Sequence, residues 1–322
     1  MRSTLYCVLC VLLTLVLAAC SLRYLRESWP LSFLYSLQLH ATLACLAGAV
    51  VALALRRHVY GVFLLAWAAA LVVHALIMLQ EFRRDPSPQA LAAPHFRLLS
   101  FNIMGDNSEN GERIADYILS SRADVAVILE ARPLFSQLDR LARLFPHRIG
   151  CETGGEDCDL LLLSRRPFVE TMKASLSDLR RNRFALARIE FAGQKLNIAA
   201  THLTKPYYDH YHDEELYNLG ELIEAAEGPL LVAGDFNSDI IAPDMQAFIR
   251  NGGLTTAPSE PRTWPIRAGA YGIAIDHVFA RQPAELIETR RIPDAFGSNH
   301  YGLVSQFAIA APNITNDAQK AP

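Results

Sequence analysis

Seven polar residues stand where apolar, strand-like runs end or break: Asn102, Glu130, His202, Asp235, Asn237, Asp276 and His300. A carboxylate closing the run "VAVIL", as Glu130 does, or interrupting "IAIDHVFA", as Asp276 does, must be solvated, paired or bound to a cation. In "AGDFNSD", Asp235 and Asn237 follow a buried strand at period two and so share a face. A carboxylate beside an amide suits a phosphate held through a metal. An Asx-turn closing the strand explains the same pair equally well. His202, in "AATHLTKP", has the same placement, where a single histidine is more often structural than catalytic. His277 falls on the opposite face of a regular strand from Asp276 and is read as structural. His300 sits in the turn of "AFGSNHYGLVSQF" and needs partners from elsewhere to do chemistry.

The elements that would position these residues begin near residue 95. "HFRLLSFNIMG", "ADVAVILEARP", "DLLLLSRRPF", "RFALARIEFAG", "QKLNIAATHL", "GPLLVAGDFNSD", "GIAIDHVFAR", "ELIETRRI" and "YGLVSQFAIA" read as strands. "SENGERIADYILSSR", "LFSQLDRLARLF", "DEELYNLGELIEAA" and "APDMQAFIRNGG" read as helices. This α+β order suggests two sheets face to face with helices outside, and loops at strand ends can gather at one rim. "SDLRRNRF" (177–184) is a basic stretch, and "TKPYYDHYHDEE" (204–215) is read as a solvated loop or a surface that touches bases or headgroups. Its His210 and His212, two apart, suit no helix face for a separate zinc site.

Taken together, "SFNIM", "ILEARP", "LLSRRP", "ATHL", "AGDFNSD", "AIDHVF" and "SNHYGLV" resemble, in order and spacing, the endonuclease/exonuclease/phosphatase (DNase I-like) superfamily. The resemblance covers about residues 96–310 and implies a four-layered α/β sandwich with its active site at one rim. It implies a metal-dependent hydrolase of phosphate esters using Mg2+, with Mn2+ as the substitute. Glu130 would hold the metal with Asn102 and Asn299. Asp235 and Asn237 would position water and phosphate, and His202 would stabilise the phosphate or act as an acid. Asp276 would orient His300, and Arg165 and Lys205 would bind substrate. One motif departs from the family: Ser298-Asn299-His300 stands where Ser-Asp-His is usual. Asparagine keeps an oxygen but loses a charge, which should lower metal affinity. A weakened or inactive binding module of the same fold is therefore the alternative reading.

The first 82 residues are a different material. Residues 4–20, 31–55 and 59–80 carry no charged side chain, and the last two runs are long enough to cross a bilayer as helices. "LAAC" (Leu17 to Cys20) also resembles a lipoprotein cleavage site, but with only Arg2 ahead of it the uncleaved helix is adopted. Residues 83–94, Pro- and Ala-rich, read as a linker, 95–311 as the catalytic domain and 312–322 as a disordered tail. Of 30 Lys+Arg and 33 Asp+Glu, seven and two fall before residue 85. The catalytic domain is therefore acidic, a poor match for sequence-independent duplex binding. The expected substrate is a phosphodiester or phosphate ester of nucleic acid or a phospholipid headgroup, and no protein partner is implied. Cys151 and Cys158 bracket a short loop that a disulfide can close, which suits an oxidising compartment; zinc and free thiols remain open. The expectation is a multi-pass protein of the bacterial cytoplasmic membrane with its domain outside, although Arg and Lys counts at the helix ends lean the other way.

Overall fold

A computed structural model describes residues 1–26, 28–152 and 158–310, so the tail expected to be disordered lies outside the described residues. Among the described residues twelve strands form two six-stranded sheets. They are β1 (His95–Asn102), β2 (Val125–Leu129), β3 (His147–Ile149), β4 (Leu160–Ser164), β5 (Phe168–Ala174), β6 (Phe184–Phe191), β7 (Gln194–His202), β8 (Leu230–Asp235), β9 (Leu254–Thr255), β10 (Asp276–Arg281), β11 (Ala284–Arg291) and β12 (Leu303–Ile309). One sheet runs β11-β12-β1-β2-β4-β3 and the other β5-β6-β7-β8-β10-β9. Among the described residues the α-helices are α1 (Arg2–Ser21), α2 (Ser32–Ser36), α3 (Gln38–Leu55), α4 (Val59–Glu81), α5 (Pro88–Ala92), α6 (Gly111–Ser120), α7 (Leu138–Leu141), α8 (Tyr211–Glu224) and α9 (Pro243–Asn251).

The alternation of the strands explains the layering, because successive side chains face opposite ways. Leu98, Val127, Leu129, Ile198, Leu231, Val278 and Phe307 turn inward and fill the space between the sheets. The other faces bury Leu99, Ile128 and Leu161 against α6, and Val232, Phe236 and Phe279 against α8 and α9. The result is four layers, helix on sheet on sheet on helix.

Three elements differ from the sequence reading. "LFSQLDRLARLF" holds one α-turn, α7, behind a 3-10 segment Arg132–Gln137 that carries Pro133 in its first turn. The run 31–55 does not form one helix. It breaks at Leu37, and Ser36 is drawn into the soluble domain, where its Oγ accepts from Asp239 N at 3.1 Å and lies 3.1 Å from Ser238 Oγ. Segment 83–94 is not a bare linker. Ser87 caps α5, its N–H and Oγ donate to Glu285 at 2.8 and 2.9 Å, and the helix packs on β11 and β12.

Residues 2–24, 38–55 and 59–81 form three helices long and apolar enough to cross a membrane. They pack on one another through Leu13, Leu17, Cys45, Ala49, Leu64 and Ala68. Their upper ends join the soluble domain directly. Tyr35, Ala75, Met78 and Phe82 share a buried cluster with Phe236, Ile241, Phe248 and Ile249. The Arg23 guanidinium donates to Ile241 O at 2.8 Å, and Thr256 N donates to Phe82 O at 2.9 Å.

Candidate active site

The sheet register gathers the polar residues. Across three neighbouring strands, Asp276 of β10 pairs with Asp235 of β8, and Asp235 pairs with His202 of β7. In the facing sheet Asn102 of β1 pairs with Leu129 of β2, which places Glu130 beside it, and Leu129 pairs with Leu160, which places Asp159 beside Glu130. Six strand ends thus meet at one rim. Gly234 makes the tightest approach: a Cβ there would lie 1.8 Å from Thr201 O, and its φ of +159° lies at the limit of the range that favours glycine.

Asn102 is the central clamp. Its Nδ2 donates to Glu130 Oε1 at 3.1 Å and Asp235 Oδ2 at 2.9 Å, while its Oδ1 accepts from Met104 N at 3.1 Å. As placed, it holds two carboxylates rather than offering an oxygen to a cation. Glu130 Oε2 accepts from Gly105 N at 2.7 Å. Met104, Glu130 and Asn237 all have left-handed φ, at 64°, 53° and 52°. Glu130 and Asn237 both line the pocket, a place where such strain commonly serves function.

His300 has the partner its turn could not supply. Its Nδ1 lies 2.8 Å from Asp276 Oδ2, and its Nε2 is 3.9 Å from Asp235 Oδ2. Ser298 fixes the turn, donating from Oγ to Asn102 O at 2.7 Å and accepting His300 N at 3.1 Å. Burial disfavours the His300 imidazolium, but the charges of Asp276, Asp235 and Glu130 override it and raise its pKa to about 9. Asp235, wholly buried, is pushed up from the ordinary carboxylate range by burial and then by Asp276, against the pull of His300 and His202. Asp276 opens β10 rather than interrupting a strand, and Thr263 Oγ1 accepts its N–H at 3.2 Å. His277 faces away as expected, with Nε2 2.9 Å from Ser238 O and Nδ1 3.2 Å from Glu260.

The Asx-turn and the site turn out to be one feature. Asp235 Oδ1 accepts Asn237 N at 2.8 Å, and Asn237 Nδ2 donates to Leu203 O at 2.9 Å. His202 is held on its other side by Asp159, whose Oδ2 lies 2.7 Å from Nδ1, while Arg183 Nη2 donates to Asp159 Oδ1 at 3.1 Å. Burial works against the Asp159 carboxylate, yet His202 and Arg183 together hold its pKa below the usual range. Asp159 and Arg183 escaped the sequence reading. Asp159 carries the same signal as the others, a carboxylate beside the buried run "LLLLS", but at the start of its strand rather than the end.

Glu130, His202, Lys205, Asp235, Asn237, Asn299 and His300 line one pocket of about 110 Å³. It adjoins an open cleft of about 590 Å³ reached by Arg132, Arg180, Arg183 and Lys205. Arg165 is not among them. It follows Ser164, which pairs with Val125 at the opposite end of the sheet, and its guanidinium lies over the Phe145 ring at 5.5 Å. Asn299 is exposed at the pocket mouth. Cys151 and Cys158 are joined as a disulfide. The loop read as solvated, 204–215, becomes helical from Tyr211, and His212 is buried, bonded to Phe236 O at 2.8 Å and paired with Asp244 at 2.9 Å. It ties α8 to α9.

The donor set suits a hard divalent cation. Glu130 has no Lys or Arg ion pair among the described residues, and the buried ligand atoms of Asp235, Asp276 and His300 lie within 4.8 Å of one another.

A family model described as the Endonuclease/Exonuclease/phosphatase family matches residues 99–300. D. rerio TDP2, humanized by 14 mutations, is similar with a TM-score of 0.55 and 20% identity, over 67% of this chain and 99% of that one. An endonuclease/exonuclease/phosphatase from Beutenbergia cavernae DSM 12333 gives 0.54 and 18%, over 67% and 72%. Sphingomyelinase C from Streptomyces griseocarneus gives 0.50 and 17%, over 66% and 99%. No curated protein sequence matches. At these identities the solved structures establish the shared fold.

Proposed function

The chain belongs to the endonuclease/exonuclease/phosphatase family, and from that premise we propose that its rim site is a divalent-metal-dependent phosphoesterase. The observation that carries the reading is the buried Asp276–His300–Asp235 row facing His202 and Glu130 across one pocket. Glu130, with the side-chain oxygen of Asn299, would hold Mg2+ or Mn2+, while Asn102 keeps the Glu130 and Asp235 carboxylates in place. When bound, the ion supplies positive charge to a phosphoryl oxygen.

The residues themselves perform the remaining work. Asp235, its affinity for a proton raised by burial, accepts the proton of the attacking water. His300 is imidazolium at neutral pH and gives a proton to the leaving oxygen, with Asp276 fixing its ring. His202, its ring fixed by Asp159, lines the pocket where the phosphoryl group would sit, and Asn237 shapes the pocket beside Asp235. Lys205, which lines both the pocket and the cleft, and Arg132, Arg180 and Arg183 in the cleft are the cations an incoming ester would meet.

The three apolar helices are the membrane anchor in this reading, with the domain outside a bacterial cytoplasmic membrane. The Cys151–Cys158 disulfide supports an oxidising side. Related folds include a D. rerio TDP2 complexed with single strand DNA product and a sphingomyelinase C, so both diester classes are candidates.

The test is hydrolysis of bis(p-nitrophenyl) phosphate and p-nitrophenyl phosphate by the full chain in detergent. Activity with Mg2+ or Mn2+ should vanish in EDTA and fall at least about 100-fold in Asp235→Asn and His300→Ala. A folded chain inactive with both ions would refute it. Gain of activity in Asn299→Asp would then mark the natural protein as a binding module.

A further inference from the structure

The pocket has a wall that the catalytic domain does not supply. Phe33 and Ser36, from the segment between the first two apolar helices, line it together with Glu130, His202, Asp235 and His300. The wall is fixed in place. The Phe33 ring meets Tyr207 edge-on at 5.3 Å between centroids, and Ser36 Oγ is bonded to the 238–239 backbone and side chain.

Chain connectivity sets how far this pocket can stand from a bilayer. Ser36 is two residues from Gln38, where the second membrane-length helix begins. Two residues reach at most about 7 Å. The headgroup layer on each side of a hydrocarbon core is itself about 5–8 Å deep. His40, in the first turn of that helix, lies 3.0 Å from Tyr271 O of the soluble domain, so the domain rests on the helix end rather than standing off it. Around this level Trp29 and Phe33 are each 39% exposed, Leu25 83% and Tyr271 81%. Exposed aromatic rings at the ends of spanning helices favour the membrane–water interface.

Resting on the phosphoesterase reading above, we infer that the ester cleaved here belongs to a molecule anchored in the same bilayer, a phospholipid or lipid-linked phosphate whose headgroup enters past Phe33. The cleft beyond mixes Arg132, Arg180, Arg183 and Lys205 with Asp106, Asp159 and Asp209, which is a balanced lining for a zwitterionic or singly charged headgroup. It is not the continuous basic track that follows a polyanion.

The experiment uses the full chain in vesicles of phosphatidylethanolamine, phosphatidylglycerol and cardiolipin with Mg2+. Phosphate-ester products are followed by 31P NMR, beside bis(p-nitrophenyl) phosphate and a single-stranded oligonucleotide in solution. Lipid of the protein's own vesicles should be cleaved. Diluting it tenfold with a phosphate-free glycolipid should lower the rate about tenfold at constant bulk lipid, because surface concentration governs an anchored enzyme. Lipid in separate, protein-free vesicles should be spared. Cleavage of the soluble diester without lipid cleavage, or faster cleavage of the oligonucleotide, overturns the inference while leaving the hydrolase standing. Failure on every ester overturns both.

Discussion

Replacing Asp276 by Asn separates the charge of the His300 partner from its shape. Asparagine still presents an oxygen to Nδ1 across the 2.8 Å contact, so the ring stays oriented. What disappears is a negative charge beside a histidine that is 5% exposed. The rise of the His300 pKa from 6.5 to about 9 corresponds to roughly 3 kcal/mol at 1.36 kcal/mol per pH unit. Burial alone would lower it, so Asp276 and then Asp235 and Glu130 supply more than the net rise. With Asp276 neutral, the imidazolium should lose at least about one pH unit of that support. Activity needs the protonated ring, so it is present below the His300 pKa and lost as pH rises through it. The assay is kcat/KM for bis(p-nitrophenyl) phosphate from pH 5.5 to 10 at saturating Mg2+, as rough working limits that bracket both states. The alkaline limb should move down by about one unit or more, so the loss of rate should be largest near pH 9. An unmoved alkaline limb with a rate within about threefold of the parent would refute the role given to the pair.

Four further expectations follow from neighbouring contacts. Asp159→Asn releases His202 Nδ1, so kcat should fall about 10- to 100-fold while Mg2+ affinity by calorimetry stays unchanged. Asn299→Asp adds a carboxylate at the pocket mouth and should lower the half-saturating Mg2+ concentration about tenfold in activity titrations. Arg165→Ala should leave kcat/KM within about twofold, whereas Arg183→Ala, which removes a partner of Asp159, should raise KM. Burial opposes the charge on His277, but Glu260 and Asp239 raise its pKa to about 9. Its stabilisation is therefore full below about pH 6.5 and lost as pH rises through about 9. His277→Gln should flatten that part of the melting-temperature profile, and an unchanged slope would count against the ion pair.

The rim residues were legible because each interrupts or ends an apolar run, and period-two alternation is a local property that needs no partner. His277 was separable from Asp276 for the same reason. What stayed hidden depends on register across the sheets. Asp159 reaches His202 only because β4 lies beside β2 and the two sheets face each other. Arg165 misled because it follows the right strand at the wrong end. The break at Leu37 was invisible to hydropathy, since Phe33, Leu34 and Tyr35 are as apolar as a spanning segment; the pull comes from Ser238 and Asp239, two hundred residues away. Phe33 and Ser36 could enter the pocket only through that break.

In the proposed mechanism Glu130 brings a divalent cation to this rim, and hydrolysis depends on it. The most direct measurement titrates Mg2+ into the EDTA-stripped full chain while following bis(p-nitrophenyl) phosphate hydrolysis, in the parent and in Glu130→Gln. The account predicts a silent stripped enzyme, saturable recovery in the parent, and a Mg2+ requirement shifted at least about tenfold upward in the variant. Hydrolysis that persists in EDTA, or identical Mg2+ curves for the two chains, would contradict it.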